Sequence, residues 1–442
     1  MRRITAALLT AVIAHAAAAH GATDSSGLVA DLRADIDKMY PDIEKLYIDL
    51  HQNPELSLLE EKTAAKLAER MRKLGYEVTT KVGGTGVVAV LKNGAGPTLL
   101  VRTDMDALPV LEKTGLPYAS KVTMKDAVTG DVVPVMHACG HDVHMASWIG
   151  TATILAKRKD LWHGTLVFIG QPAEERIRGA KAMLADGLYT RFPKPDMALA
   201  LHDHDLTPAG TVGTIPGYIA AAADSVDLTF YGTGGHGAYP HTTVDPIVIA
   251  ARFVVAVQTV VARENNPFDP AVITVGSFHG GLKHNIISDV VKLELTVRSY
   301  KPEVRERLLA AIERIAKAEA LAANAPKPPE MKVVESTKAT YNDPALTERV
   351  LNALGAAIGV ENIIHPPAEM GAEDFSEFVN SGIPGVYLQV GAVEPGKFAA
   401  WQKGTVTLPS THSPLFAPDV VPTLKTAILG ETVAALEMMT PR

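Results

Sequence analysis

The strongest constraint on the fold is a change of grammar near Pro216. Before it, short apolar strands at 87–91, 98–101, 166–169 and 197–201 alternate with helical stretches, and the first two are joined through Asn93 and Gly94. That alternation predicts an α/β domain around a mixed, largely parallel sheet. After Pro216 the order becomes strand, helix, strand, strand, helix, strand. The strands are 226–231, 271–278, 291–297 and 331–334. Asp245 and Pro246 open the first helix, and Pro302 opens the second, which carries Val304, Leu308, Ala311, Ile312 and Ile315 at helical spacing. Val291, Leu293, Leu295 and Val297 alternate with Lys292, Glu294, Thr296 and Arg298, so that strand buries one face. A β-α-β-β-α-β block is a complete ferredoxin-like unit. Beyond Thr340 the first pattern returns, with a helix at 344–358, a strand at 386–390 and a last helix after Pro422. The chain thus reads as an outer domain in two parts, 23–215 and 337–442, interrupted by an inserted domain over 216–336.

A length of 442 residues agrees with more than one core. The net charge of −7, with no basic stripe, argues against nucleic acid as a partner. Arg2 and Arg3 precede an apolar run at 4–14 and small residues at 16–19, the layout of a signal peptide over 1–22. The run is short for a membrane span, so a periplasmic or secreted protein is expected, with no membrane association after leader removal. No other segment reads as transmembrane. The mature front is helical at 28–50. A second helix, ending at Gly75, carries Ser57 and Glu60 as a capping box.

Residues 136–146 hold the chain's single cysteine, Cys139, with His137, His141, Asp142 and His144. One cysteine excludes an internal disulfide, and an exported free thiol needs burial or a cation. Gly140 lets the backbone turn between Cys139 and His141. A thiolate and an imidazole so spaced can reach one borderline-soft divalent ion, or the thiolate can bridge two. Asp142 is available to orient an imidazole. Taken alone, the run reads equally as a buried thiol beside helix-capping residues.

Four further stretches sit at sheet edges or in loops, and because strand carboxyl ends line the ligand cleft of an open α/β sheet, three of these groups are expected to converge. Asp104 and Asp106 follow the strand at 98–101, and His202 follows one ending at Leu201. Glu174 and Glu175 follow the strand at 166–169, and His412 lies in the loop before the last helix. Adjacent glutamates suit a division between metal ligand and proton carrier, although acids also favour a helix start. His144 and His204 read as orienting or structural residues.

Five motifs then occur in order: 102–109 (RTDMDALP), 136–144 (MHACGHDVH), 171–175 (QPAEE), 234–241 (GGHGAYPH) and 370–375 (MGAEDF). On these the chain resembles the metal-dependent amidohydrolases and carboxypeptidases that include hippurate hydrolases, indole-acetyl-amino-acid hydrolases and aminoacylases. The resemblance implies two divalent ions per subunit (zinc, manganese, cobalt or nickel) bridged by Cys139. It assigns His141 and His202 to one ion and Glu175 with His412 to the other. Glu174 would be the general base acting on a metal-activated water, with Asp106 beside the metals. The inserted domain would close over the site and form a homodimer, with His236 reaching the partner's site. Asn285, Arg298 and Gly371 would contact substrate, while Glu373 and Asp374 would position their loop. The expected substrate is an N-acyl amino acid. A metallo-dipeptidase or carboxypeptidase acting on small peptides is the alternative within enzymes, and a non-catalytic exported binding protein the alternative outside them. Two departures from the family stand out: a long connection at 119–135, and the acidic run Asp203-His204-Asp205.

Overall fold

The computed structural model describes residues 25–440, so the expected leader lies outside the described residues. Helices α1 (Ser25–Gln52) and α2 (Glu61–Lys73) precede strands β1 (Glu77–Val82), β2 (Gly86–Asn93) and β3 (Thr98–Asp104). Helix α3 (His141–Lys157), β4 (Gly164–Gln171), β5 (Met197–Pro208) and β6 (Val212–Gly213) follow. The inserted block comprises β7 (Ala222–Tyr231), α4 (Pro246–Thr259), β8 (Ala271–Gly280), β9 (Val290–Ser299), α5 (Pro302–Ala322) and β10 (Glu330–Thr337). The chain returns through α6 (Pro344–Ile358), β11 (Ile363–Ile364), β12 (Gly385–Val393) and α7 (Val420–Met439).

Among the described residues the main sheet runs β1-β2-β4-β3-β5-β12-β6-β11 and is mixed. β2 and β3, although joined through Asn93 and Gly94, do not pair with each other. β4 lies between them, antiparallel to β2 and parallel to β3. Leu99, Leu100 and Val101 are all buried, and a strand covered on both faces belongs inside a sheet. Leu199, Leu201, Val386 and Leu388 face a core built with α1, α3 and α7. The alternate positions, His202, His204, Tyr387 and Gln389, turn to the opposite face. β5 also runs on past Leu201, because β12 pairs with it in register through His202 and His204. His202 therefore stands within a strand rather than after one.

The capping box at α2 is not formed. The helix begins at Glu61, and the Ser57 hydroxyl donates instead to Asp106 Oδ2 at 2.6 Å. Glu60 Oε1 accepts from the amides of Leu58 (2.9 Å) and Ala173 (2.8 Å). Both residues serve the centre described below rather than a helix end.

The inserted block forms a separate antiparallel sheet, β8-β9-β7-β10, with its own core around Phe230, Phe253, Val291 and Leu308. Asp245 caps α4 by accepting from the Ile247 amide at 2.9 Å. With the turn that follows, 246–264, this helix is long and apolar enough to cross a membrane by length and composition alone. Ile249, Phe253 and Val257 pack inward, while Val248 and Val255 are exposed. The two chain crossings pair as a short antiparallel ribbon, Gly217–Ala220 with Thr340–Asn342. The inserted strands span 222–337.

Candidate metal centre

Residues far apart along the chain converge at one end of the main sheet. Cys139 Sγ lies 3.5 Å from His202 Nε2 and 3.3 Å from His412 Nε2. Glu175 Oε1 lies 3.4 Å from His412 Nε2 and 3.9 Å from His141 Nε2. Glu174 Oε2 stands 4.0 Å from His141 Nε2. Ligand atoms of Cys139, Glu175 and His412 lie within 4.8 Å of one another. His141 faces Glu175 as well as His202, so the carboxylate sits between the two expected ligand sets.

Local sequence explains this geometry. Gly140 has φ 74°, and a Cβ there would meet Asp203 Oδ2 at 2.3 Å. Only glycine lets Cys139 and His141, the first residue of α3, approach that carboxylate. His141 Nδ1 donates to the Asp106 carbonyl at 2.7 Å, and His202 Nδ1 to the Asp203 carbonyl at 2.6 Å. These bonds fix both tautomers and leave each Nε2 free for a cation. The Asp106 carboxylate accepts from the amides of Glu174 and Glu175, both at 3.1 Å. Ala173 (φ 48°) and Ile177 (φ 53°) bracket this turn in the left-handed region, a costly conformation for a β-branched residue. His412 (φ 66°) is held likewise, its amide donating to the Ala138 carbonyl at 2.7 Å.

Arg102 is the main residue that sequence reasoning left without a role. Fully buried, it contacts Asp104 Oδ2 (2.7 Å), Glu373 Oε1 (2.7 Å), Asp374 Oδ1 (3.3 Å) and Gln171 Oε1 (2.9 Å). A guanidinium inside an apolar strand was the available signal, since such a charge must be paired. Glu373 also accepts from the Phe375 amide at 2.8 Å, so it does position its loop. His144 bridges Asp104 Oδ1 (2.8 Å) and Asp203 Oδ1 (3.1 Å). Asp142 orients an imidazole, but that of His51 (2.6 Å), whose other nitrogen meets Glu112 at 3.1 Å.

The cluster calls for positive charge. Burial, then Glu175 and Glu174, pushes the Cys139 thiol well up. Burial, then Glu373 and Glu175, holds Glu174 well above the usual carboxylate range. Burial opposes protonation of His141, yet Asp104 and Asp106 lift it to about 10. His141 Nε2 and Glu175 Oε1 are both buried and have no hydrogen-bond partner among the described residues. An unsatisfied buried polar atom costs about 1–3 kcal/mol, and a cation between these two would satisfy both. The mixed sulfur, nitrogen and oxygen donors fit a borderline-soft divalent metal. The residues present fit the implied group.

A cavity of about 550 Å³ opens beside the cluster, lined by Cys139, Glu174, His202 and His412, with Arg298 and Gly371 on its walls. Arg298 donates through Nε to Thr296 Oγ1 at 3.0 Å, and burial lowers its pKa. His236 and Asn285 do not line the cavity. They share an exposed corner of the inserted block, where Gly235–His236 pairs with Ile286–Ile287 and the Gly237 amide donates to the Asn285 carbonyl at 2.9 Å. The long connection forms a hairpin, Thr123–Lys125 with Val132–Pro134. Its Asp126 meets Arg176 at 2.6 Å and so braces the residue that follows Glu175. Ahead of the connection, the Lys113 amide donates to the Pro414 carbonyl at 2.8 Å, close after His412.

Residues 100–403 match the model of Peptidase family M20/M25/M40. The chain is 36% identical over 369 residues to thermostable carboxypeptidase 2 of Saccharolobus solfataricus, covering 82% of this chain and 89% of the relative. It is 38% identical over 277 residues to hippurate hydrolase of Campylobacter jejuni, covering 62% and 69%. Among solved structures, the Bacillus subtilis YXEP protein, a dinuclear metal binding peptidase from the M20 family, superposes with a TM-score of 0.73. That match has 28% identity and covers 91% of this chain and 100% of the other.

Proposed function

Since the chain belongs to peptidase family M20/M25/M40 and is, with it, a metal-dependent hydrolase, we propose that it cleaves the amide bond of an N-acyl amino acid or small peptide. The observation that carries this reading is the pair of orphaned atoms, His141 Nε2 and Glu175 Oε1, ringed by Cys139, His202 and His412 with Glu174 alongside. These five residues would hold two divalent ions, Cys139 between them. When bound, the ions supply a water acidified toward neutral pH and positive charge for the developing oxyanion. Glu174 takes the water's proton on its carboxylate and returns it to the leaving nitrogen. Asp106 keeps that carboxylate aimed by holding the Glu174 and Glu175 amides. Arg298 presents a guanidinium to the leaving amino acid's carboxylate, and Gly371 lets the chain approach.

The reading includes a homodimer through a ferredoxin-like inserted domain. His236 of each subunit would complete the other's site as an oxyanion donor, with Asn285 beside it. Its basis is the family resemblance and the exposure of that corner. Export rests on the leader-like residues 1–22, and a protein that stays inside the cell with Met1 and the following residues intact would remove it. The test of the activity is metal analysis coupled to turnover of N-acyl amino acids and dipeptides. Activity should stop with a chelator and return with a divalent metal. Cys139→Ala should lose at least one of two metal equivalents, and retention of both would remove the bridging role. No turnover at full metal loading would refute the function.

A further inference from the structure

The cavity holds more negative charge than the proposed chemistry uses. Glu174 and Glu175 face the metal cluster, and Asp203 is held by His144 at 3.1 Å. Glu335 is paired with Arg178 (3.0 Å) and Glu373 with Arg102 (2.7 Å). Glu369 and Asp205 have no lysine or arginine partner among the described residues. Glu369 Oε1 meets His204 Nε2 at 2.9 Å, and Asp205 Oδ2 accepts from the Thr411 amide at 2.7 Å.

A second, independent observation points to what this wall receives. Gln389 lines the cavity, is only 5% exposed, and its Oε1 has no hydrogen-bond partner among the described residues. It sits in register with His202, on the face of β12 that turns toward the cavity. An amide oxygen buried without a donor is costly, and a ligand N–H beside Glu369 would relieve it. Arg298 is the one Lys or Arg lining the cavity among the described residues, and it comes from the inserted block instead. Glu335, the inserted block's own acid in the lining, is taken up by Arg178. That leaves a cation on the inserted block facing the acceptors Glu369, Asp205 and Gln389 on the other.

We propose that the acyl half of the substrate carries a protonated amine, received by Glu369 with Gln389 and Asp205, while Arg298 takes the carboxylate of the leaving half. An ammonium offers three donors and no acceptor, which matches a wall of acceptors. The substrate class is then an aminoacyl amino acid, a zwitterion charged at both ends, rather than the amide of a neutral acid. This rests on the hydrolase reading above and narrows it.

Two isosteric pairs test it on the metal-loaded enzyme: alanyl-glycine against isobutyryl-glycine, and ε-aminohexanoyl-glycine against heptanoyl-glycine. The amine-bearing member of at least one pair should be cleaved with kcat/KM roughly tenfold or more above its isostere. Preference in the first pair puts the amine next to the carbonyl, and in the second at the chain end. Glu369→Gln should bring that ratio close to one, and Glu369→Asp should restore part of it. Equal or better cleavage of both neutral isosteres overturns the proposal and leaves the hydrolase reading standing. A ratio unmoved by Glu369→Gln overturns Glu369 as its source. No cleavage of any of the four overturns both readings.

Discussion

The two places where this chain gathers reactive groups are built in opposite ways. At the end of the main sheet the groups are mostly buried and held twice. His141 is fixed by a carbonyl, Glu174 by the Asp106 carboxylate through its amide, and Asp104 by Arg102 and His144. At the exposed corner of the inserted block, His236 touches Tyr239 and its own loop and faces solvent. The first region draws all the contacts named here from one chain. The second is a projecting group whose contacts lie within its own loop, and in the proposed homodimer it would serve the other subunit's site.

The largest expected effect lies in the buried region. Glu174→Gln should lower kcat by about 10²–10⁴-fold, the span of general acid–base catalysis, with metal content retained. Near-normal turnover would remove the base. Arg102→Met should come next. It strands Asp104, Glu373 and Asp374 without a cation, which costs about 3–5 kcal/mol in denaturant unfolding. A loss below about 1 kcal/mol would mean that the network is not held as described.

His236→Ala breaks or sharpens the contrast directly. It should lower turnover by about 10²-fold, as loss of an oxyanion donor does, with stability and metal content unchanged. Mixing His236→Ala with Glu174→Gln should recover activity, because a mixed dimer would contain one site with both groups. No recovery on mixing would put His236 outside the partner's site. The smallest effect concerns stability alone. Glu431 is buried in α7, its acid pushed up to about 8 by burial although Thr151 donates to it. The folded chain thus keeps a proton that the unfolded chain loses near pH 4.5, so stability drains as pH rises from there to about 8. Glu431→Gln should raise the Tm at pH 8 and leave it nearly unchanged at pH 4. An equal rise at both would sever the link to ionisation.

The same contrast explains what could be read from the sequence. The alternation in β9, the Asp245 cap and the α6 boundaries follow local rules and were legible. The five proposed ligands and Glu174 were legible as candidates, from their residue types at strand ends and in motifs. Long-range choices were not. Nothing near Ser57 announces that it will leave a helix end for Asp106, or that β4 will slip between β2 and β3. The Arg102 network and the Glu369–Gln389 wall unite segments more than two hundred residues or about twenty residues apart, respectively, and only the sheet register brings them together.

His412, the last of the proposed ligands along the chain, follows the whole inserted block, its loop tied back to Ala138. A growing polypeptide can therefore finish that block before the metal cage exists. Ion capture would wait for His412, and a product stopped before it would be left without a hydrolytic centre that could act on the wrong molecules.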